Sequence, residues 1–104
     1  MRTIFCSDDT SAFGQTLLTI ELENAEGLKI SKAEFRCGKV LKTFTSPSFP
    51  LEVNLTCEET ALLAHASSDN LVIVNPGYLA IYDEQGLKTT LEGSVDIPVR
   101  KCVV

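Results

Sequence analysis

Several residue types that commonly build functional sites are scarce in this chain of 104 residues. It has no tryptophan, one histidine and two tyrosines, so a sugar-binding platform of aromatic rings has little to draw on. It contains no phosphate-binding glycine loop, no GxSxG nucleophile elbow and no HExxH zinc helix. No segment approaches the roughly 20 apolar residues of a transmembrane helix. These absences predict a soluble protein that is not an enzyme, with no catalytic, cofactor-binding or metal-binding residues and no membrane partner.

The charge balance excludes further classes of partner. Fourteen acidic and nine basic residues give a net charge of −5, which opposes binding to nucleic acid or to an anionic lipid surface. The first nine residues also lack the apolar run of a signal peptide. We therefore expect a protein that is not exported and that has no nucleic-acid partner.

The four cysteines do not form a recognisable motif. Cys6, Cys37, Cys57 and Cys102 are 31, 20 and 45 positions apart, and no CxxC pair is present. The spacing therefore does not predict a zinc or redox site. Without an export signal we expect all four thiols to be reduced. Two disulfides are the alternative that the even number of cysteines allows.

Alternation of apolar and polar residues is the main structural signal. It runs through residues 33–37, 51–55 and 95–99, and in a strand such a pattern buries one face and exposes the other. Because the chain has the length of one domain, we predict a single all-β domain over residues 1–104. The predicted architecture is an antiparallel β-sandwich of about seven or eight strands.

Turn residues divide the first half of the chain into predicted strands. A turn at residues 24–27 precedes a strand at 29–37, and Gly38 then permits a sharp reversal into residues 39–45. Two prolines in residues 46–50 interrupt the pattern. They predict a connection that carries the chain from one sheet to the other.

The second half contains one helix-start signal. Thr56 and Glu59 match a capping box, which predicts a short helical turn near residues 57–64. Beyond it, after a strand at residues 78–83 and a turn at residues 84–86, we expect residues 88–92 and then residues 94–99 to pair back.

Gly93, between these two segments, is expected to form a bulge or a close backbone approach.

Five of the nine basic residues lie close together in the sequence. One hypothesis is a basic stripe that binds an acidic partner. The alternative is that these residues occupy the solvent-facing positions of one hairpin, where lysine protects a sheet edge. Strand phase favours the alternative, because it places several of them on the outward face. The five residues are Lys29, Lys32, Arg36, Lys39 and Lys42, and Glu34 interrupts them.

Candidate binding or reactive residues are few. His65 lies eight positions after Cys57, so a small hydrolase with a Cys–His pair is one hypothesis, although this spacing does not bring the two side chains together. A carbohydrate- or ligand-binding sandwich is another hypothesis. Its candidate loops are residues 7–13, 46–50 and 83–87, of which the first and last are acidic.

The order of several short motifs is more specific than any one of them. Residues 55–63 read Leu-Thr-x-Glu-Glu-Thr-x-x-Leu, residues 78–86 form a tyrosine-bearing segment ending in Asp-x-x-Gly, and residues 90–97 read Thr-Leu-x-Gly-x-Val-x-Ile. Over residues 14–99 this order resembles the N-terminal β-sandwich domain of phage baseplate upper proteins and related small phage tail proteins of Gram-positive hosts. The resemblance implies an immunoglobulin-like sandwich that acts as a connector in a virion and carries no catalytic residues.

From these observations we predict a non-enzymatic structural or interaction module that takes part in virion assembly. Its expected partners are phage structural proteins or further copies of itself, and its expected location is the virion or the bacterial cytoplasm. The alternative function is the carbohydrate- or ligand-binding sandwich.

Overall fold

The computed structural model of the protein describes residues 2–22, 29–91 and 95–103. Within these residues the chain forms nine strands and one α-helix, so the prediction of an all-β fold is confirmed. The predicted turn at residues 24–27 and the expected bulge at Gly93 lie outside the described residues. In chain order the elements are β1 (Ile4–Cys6), β2 (Leu18–Ile20), β3 (Ile30–Cys37), β4 (Val40–Thr45), β5 (Leu51–Val53), α1 (Cys57–Ala61), β6 (Ile73–Asn75), β7 (Gly77–Asp83), β8 (Lys88–Leu91) and β9 (Ile97–Cys102).

The strands form three sheets. A four-stranded antiparallel sheet has the order β4-β3-β7-β8, and β2 pairs with β5 in a two-stranded antiparallel sheet. The third sheet has the order β1-β9-β6, in which β9 runs antiparallel to β6 and parallel to β1. Because β1 is the first strand and β9 the last, this third sheet brings the two ends of the described chain together.

The hairpin of β3 and β4 forms as the alternation predicts. Ala33, Phe35 and Cys37 of β3 are fully buried, whereas the residues between them face outward. Gly38 makes the reversal with a φ of +57°, a conformation that costs glycine little and most other residues more. The period-two pattern therefore decided correctly which face of this strand enters the core.

The prediction for residues 46–50 is also confirmed. This segment leaves β4 of the four-stranded sheet and enters β5 of the two-stranded sheet. It contains a cis peptide bond between Phe49 and Pro50. The side chain of Phe49 packs against the hydrophobic core.

The expected helical turn is present as α1. The Thr56 side chain accepts a hydrogen bond from the Glu59 backbone N–H, and the Glu59 side chain accepts one from the Thr56 backbone N–H. This reciprocal pair satisfies donors that the first helical turn leaves without intrahelical partners. Among the described residues, no helix has the length and apolar character of a membrane span.

The expected pairing is confirmed for residues 88–91, which form β8, and is wrong for residues 95–99. β8 pairs with β7, whereas β9 lies between β1 and β6 in the third sheet. Ile97 and Val99 of β9 are fully buried, and the central position hydrogen-bonds both edges of the strand. A place beside β8 would have left β9 at the edge of the four-stranded sheet, with its apolar residues less well covered.

All three sheets contribute to one hydrophobic core. Ile4 and Val99 enter it from the third sheet, Val53 from the two-stranded sheet, and Phe35 and Leu79 from the four-stranded sheet. Each of these side chains is at most 1% exposed. Burial of such side chains is the main favourable contribution to the stability of the fold.

Candidate functional site

The acidic loop at residues 7–13 is packed against the beginning of α1. Asp9 Oδ1 accepts a hydrogen bond from the Cys57 backbone N–H at 2.7 Å. The Thr60 hydroxyl donates to the Asp8 carbonyl oxygen at 2.8 Å. A carboxylate at a helix N-terminus is favourable, because it meets backbone N–H groups that would otherwise lack partners. These contacts give the loop a structural role.

A groove lies beside the loop at residues 83–87. Asp83 Oδ1 accepts hydrogen bonds from the backbone N–H groups of Gln85 and Leu87, at 2.8 and 2.9 Å, and these bonds order the turn. The groove has a volume of about 560 Å³, and Leu87 is 65% exposed. The loop at residues 83–87 is one of the three predicted ligand-binding loops, and it borders the groove. The other lining residues are Lys29, Ile30, Ile81, Tyr82, Glu84 and Thr89.

The structure does not assemble the hypothetical Cys–His pair. Cys57 Sγ donates a hydrogen bond to Glu58 Oε2 at 3.3 Å. This bond and burial raise the pKa of Cys57, which disfavours the nucleophilic thiolate. His65 Nδ1 instead lies 3.4 Å from the Leu63 carbonyl oxygen. Among the described residues no hydrogen bond joins Cys57 to His65.

The expectation that all four cysteines are reduced is wrong for two of them. Cys6 and Cys102 form a disulfide. They are register partners in the parallel pair of β1 and β9, with Cα atoms 4.4 Å apart, and this separation allows a disulfide bridge. Cys37 and Cys57 carry free thiols, as expected. Burial, together with nearby Asp96, raises the pKa of Cys37 to about 11.

His65 lies beside this disulfide. Its ring and the sulfur atoms of Cys6 and Cys102 each offer one ligating atom, and these atoms all lie within 4.8 Å of one another. We call these three residues the terminal cluster. Sequence spacing could not reveal it, because its members come from the first strand, the last strand and a loop near the middle of the chain.

The clustered basic residues do not form one stripe. Lys32 and Arg36 lie on the outward face of β3. Lys42 of β4 is the register partner of buried Phe35. Because cross-strand partners point to the same face of a sheet, the Lys42 side chain lies on the face opposite to that of Lys32 and Arg36. There its Nζ forms a salt bridge with Glu59 at 2.9 Å. The alternative hypothesis, in which these charges are the solvent-facing positions of a hairpin, agrees with the placement of Lys32 and Arg36 but not with that of Lys42.

On the outer face of the four-stranded sheet, polar groups pair with one another. The Tyr82 hydroxyl donates to Glu34 Oε1 at 2.6 Å, and this bond lowers the pKa of Glu34. Lys32 Nζ lies 4.3 Å from the centre of the Tyr82 ring, a cation–π contact. Tyr78, further along the same strand, is 52% exposed. A shallow depression of about 200 Å³ includes both tyrosines.

The edge of the third sheet has a different character. Residues 71–74, which we call the edge segment, are four consecutive large apolar residues with exposed side chains. In the described part of the chain, β6 has β9 on one side and no strand on the other. The exposed fractions are 54% for Leu71, 42% for Val72, 43% for Ile73 and 57% for Val74.

Asn75 directly follows the edge segment, and its side chain forms hydrogen bonds to two other parts of the fold. It is 5% exposed. Its Oδ1 accepts a hydrogen bond from the Ala64 N–H at 2.9 Å, and its Nδ2 donates to the Ala64 carbonyl at 2.8 Å. The same Nδ2 lies 3.3 Å from the Ile97 carbonyl. Asn75 therefore holds both the loop that carries His65 and the neighbouring strand β9.

Comparison with family models, with curated proteins and with solved structures finds no match for this chain.

Proposed function

We propose that this chain is a non-enzymatic structural module that assembles with protein partners through its edge segment. The observation that carries the proposal is the row of four exposed apolar side chains at residues 71–74, next to the open side of β6. An exposed sheet edge with apolar side chains is a template for pairing with another strand. Isolated exposed apolar residues are common on proteins, but a contiguous group indicates an interaction surface.

A partner strand paired with β6 would bury apolar side chains on both faces of that strand. Ile73 is in register with buried Val99, and Val74 is in register with Pro98, so their side chains lie on opposite faces of the sheet. Ile73 points to the same face as the core, yet it is 43% exposed. A strand added beside β6 would cover both side chains and would extend the core under Ile73.

The partner we propose is a second copy of this chain. In an isologous dimer each β6 would use its open edge to pair with the other, so that two three-stranded sheets become one continuous sheet. Residues 71–74 carry no charge, although the whole chain has a net charge of −5. Asp69, two positions before the edge segment, forms a salt bridge with Lys101. Two copies can therefore meet here without opposing like charges.

The setting we propose is the tail or baseplate of a phage or prophage, with an immunoglobulin-like arrangement of the strands. The resemblance of residues 14–99 to baseplate upper proteins supports this setting. A rigid all-β frame with open edges also suits repeated assembly into a symmetric particle. Detection of the chain by mass spectrometry in purified virions of a phage that encodes it is the expected result. Its absence from such particles would contradict the setting.

The assembly itself is tested by light scattering during size-exclusion chromatography, over a series of protein concentrations. We expect a dimer whose population rises with concentration, and we expect Ile73→Lys and Val74→Lys to remain monomeric. Leu62→Lys is the matched control, because Leu62 is 54% exposed but lies at the end of α1; this variant should dimerise like the wild type. A wild type that stays monomeric at every concentration, or lysine variants that still dimerise, would refute the proposal.

The groove beside residues 83–87 favours a second candidate function, the binding of a carbohydrate or another small ligand. Its volume of about 560 Å³ falls in the range of small-molecule sites, roughly 300–1,000 Å³. Ile30, Ile81 and Leu87 offer apolar contacts, and Lys29 and Glu84 offer charged groups. A glycan array and a calcium titration test this function. No response in either experiment would remove it.

A further inference from the structure

The terminal cluster has the chemical composition of a metal site. Two cysteine sulfurs and one histidine nitrogen lie within 4.8 Å of one another. Thiolate and imidazole are the ligands that Zn²⁺ prefers, and two cysteines with one histidine leave a fourth tetrahedral position for water. We propose that Cys6, Cys102 and His65 bind one Zn²⁺ when the Cys6–Cys102 disulfide is reduced. The proposal is independent of the docking function of the edge segment.

The fold places the two sulfurs together whatever their oxidation state. β1 and β9 are neighbours, and Cys6 faces Cys102 in their register. The register shifts between Phe5 and Cys6, and Ser7 follows with a φ of 69°. A bulge of this kind turns a side chain away from the direction that regular pairing would give it. Reduction therefore leaves two thiols on adjacent strands, with no rearrangement of the sheet needed to keep them close.

The histidine is held by its own loop. Nδ1 of His65 lies 3.4 Å from the Leu63 carbonyl oxygen. Because a carbonyl can only accept a hydrogen bond, this contact favours the tautomer with the proton on Nδ1, which leaves Nε2 as the nitrogen that can bind a metal ion. A backbone carbonyl that orients the ring in this way is the usual outer partner of a metal-binding histidine. The two hydrogen bonds between Asn75 and Ala64 position the same loop against β6.

The two chemical steps balance. Two molecules of a thiol reductant each give up one hydrogen atom; the bond between the sulfurs of Cys6 and Cys102 breaks, each sulfur becomes a thiol, and the reductant becomes a disulfide. Zn²⁺ then displaces the two thiol protons to solvent. Two thiolates, the neutral imidazole of His65 and one water surround the ion. The two negative charges of the thiolates balance the two positive charges of the ion. The oxidised protein has no thiolate to offer at this position.

The experiment compares zinc binding by the oxidised and the reduced full-length chain. The reduced protein is kept under a phosphine reductant without oxygen and is titrated with Zn²⁺ in competition with a chromophoric chelator. We expect one Zn²⁺ per chain in the reduced protein and none in the oxidised protein. Cobalt(II) serves as a spectroscopic substitute, and thiolate-to-cobalt charge-transfer absorption should appear in the reduced protein alone.

Three variants assign the ligands. Cys6→Ser and Cys102→Ser should lose the thiolate-to-cobalt absorption in large part, and His65→Ala should weaken zinc affinity by at least the roughly 10–100-fold that loss of an outer partner costs. His65 is exposed, so its replacement should leave the fold intact, as circular dichroism of the oxidised variant would verify. Cys57→Ser is the matched control, because Cys57 lies outside the cluster; it should bind Zn²⁺ like the wild type.

The opposite results overturn the proposal. Reduced wild-type protein that keeps its β-sheet dichroism but binds no stoichiometric Zn²⁺ contradicts it. So does unchanged zinc affinity in His65→Ala, or loss of binding in Cys57→Ser with retention in Cys6→Ser. The dimerisation measurements on the lysine variants of residues 73 and 74 are unaffected by any of these outcomes.

Discussion

The four-stranded sheet and the β1-β9-β6 sheet differ in which of their side chains they leave exposed. In the first, β3 buries Ala33, Phe35 and Cys37 and presents polar groups to solvent, where Glu34 and Tyr82 pair with each other. In the second, the edge segment exposes apolar side chains on both faces. The outward groups of the four-stranded sheet pair with one another, whereas the side chains of the edge segment remain exposed. We infer that the first is the frame and the second the interacting region.

The third sheet also contains or contacts all three residues of the terminal cluster. It contains both disulfide-bonded cysteines, and His65 approaches it from the loop after α1. Its strands come from the beginning, the middle and the end of the described chain. Any change that loosens this sheet is therefore expected to affect docking and metal binding together, whereas the four-stranded sheet can vary on its outer face.

The largest expected effect comes from the frame. Phe35→Ala should lower the free energy of unfolding by about 3–5 kcal/mol, because Phe35 is fully buried and its truncation leaves a cavity. Ile73→Ala, on the exposed edge, should cost about 1 kcal/mol or less. Urea denaturation of both variants at low protein concentration measures the difference. Equal losses would show that β6 belongs to the frame and would undo the comparison.

Asn75→Ala tests the joint between the edge segment and the loop that carries His65. The change leaves the Ala64 N–H and carbonyl without their side-chain partner, and loss of such buried bonds should cost about 2–3 kcal/mol. Gln85→Ala, at an exposed turn, is the control and should change stability by less than about 0.5 kcal/mol. Hydrogen exchange at Ala64 should also accelerate in Asn75→Ala. Unchanged protection there would mean that the loop is held by other contacts.

We expect the free energy of unfolding to decrease at alkaline pH because of the Cys37 thiol. Its pKa is about 11 in the folded protein against 9.0 for the ordinary thiol, so the unfolded chain loses the proton first as the pH rises. The stabilising contribution is complete below pH 9 and disappears between pH 9 and about 11, with a loss of about 3 kcal/mol. Urea denaturation across this range measures it. Cys37→Ala should lack this part of the decline; an identical profile would contradict the prediction.

The smallest expected effect is at the helix cap. Thr56→Ala removes one half of the capping box and should destabilise the protein by about 1 kcal/mol. Thr90→Ala, at an exposed position of β8, is the matched control and should change the free energy of unfolding by less than about 0.5 kcal/mol. Thermal denaturation followed by circular dichroism compares the two. A larger loss in the control would mean that the outer face of the four-stranded sheet contributes more than the frame interpretation allows.

Local features were predictable from the sequence because neighbouring residues decide them. Gly38 and the alternation around it predicted the hairpin of β3 and β4 and the buried face of β3. Thr56 and Glu59 predicted α1 through a contact that spans three residues. The two prolines of residues 46–50 predicted the passage between sheets.

The candidate sites were less predictable, for a related reason. Residues 71–74 read as an ordinary apolar run, and no local signal shows whether such a strand will lie at the centre or the edge of a sheet. The pairing of β9 with β1 and β6 was likewise missed. A strand chooses its neighbours by how completely its apolar side chains are covered, and that depends on the whole core.

By itself, the sequence determined the class of fold, the direction in which each regular strand faces, the hairpin and the helical turn, because these follow from side-chain period, backbone restriction and short-range hydrogen bonds. Only the tertiary structure decided that the first and last strands lie side by side and that Cys6 bonds to Cys102 next to His65. It also decided that, within the described residues, β6 has no strand beside its apolar edge. These contacts join residues tens of positions apart. They form only when the three sheets close around a common core, and no pattern along the chain encodes that closure locally.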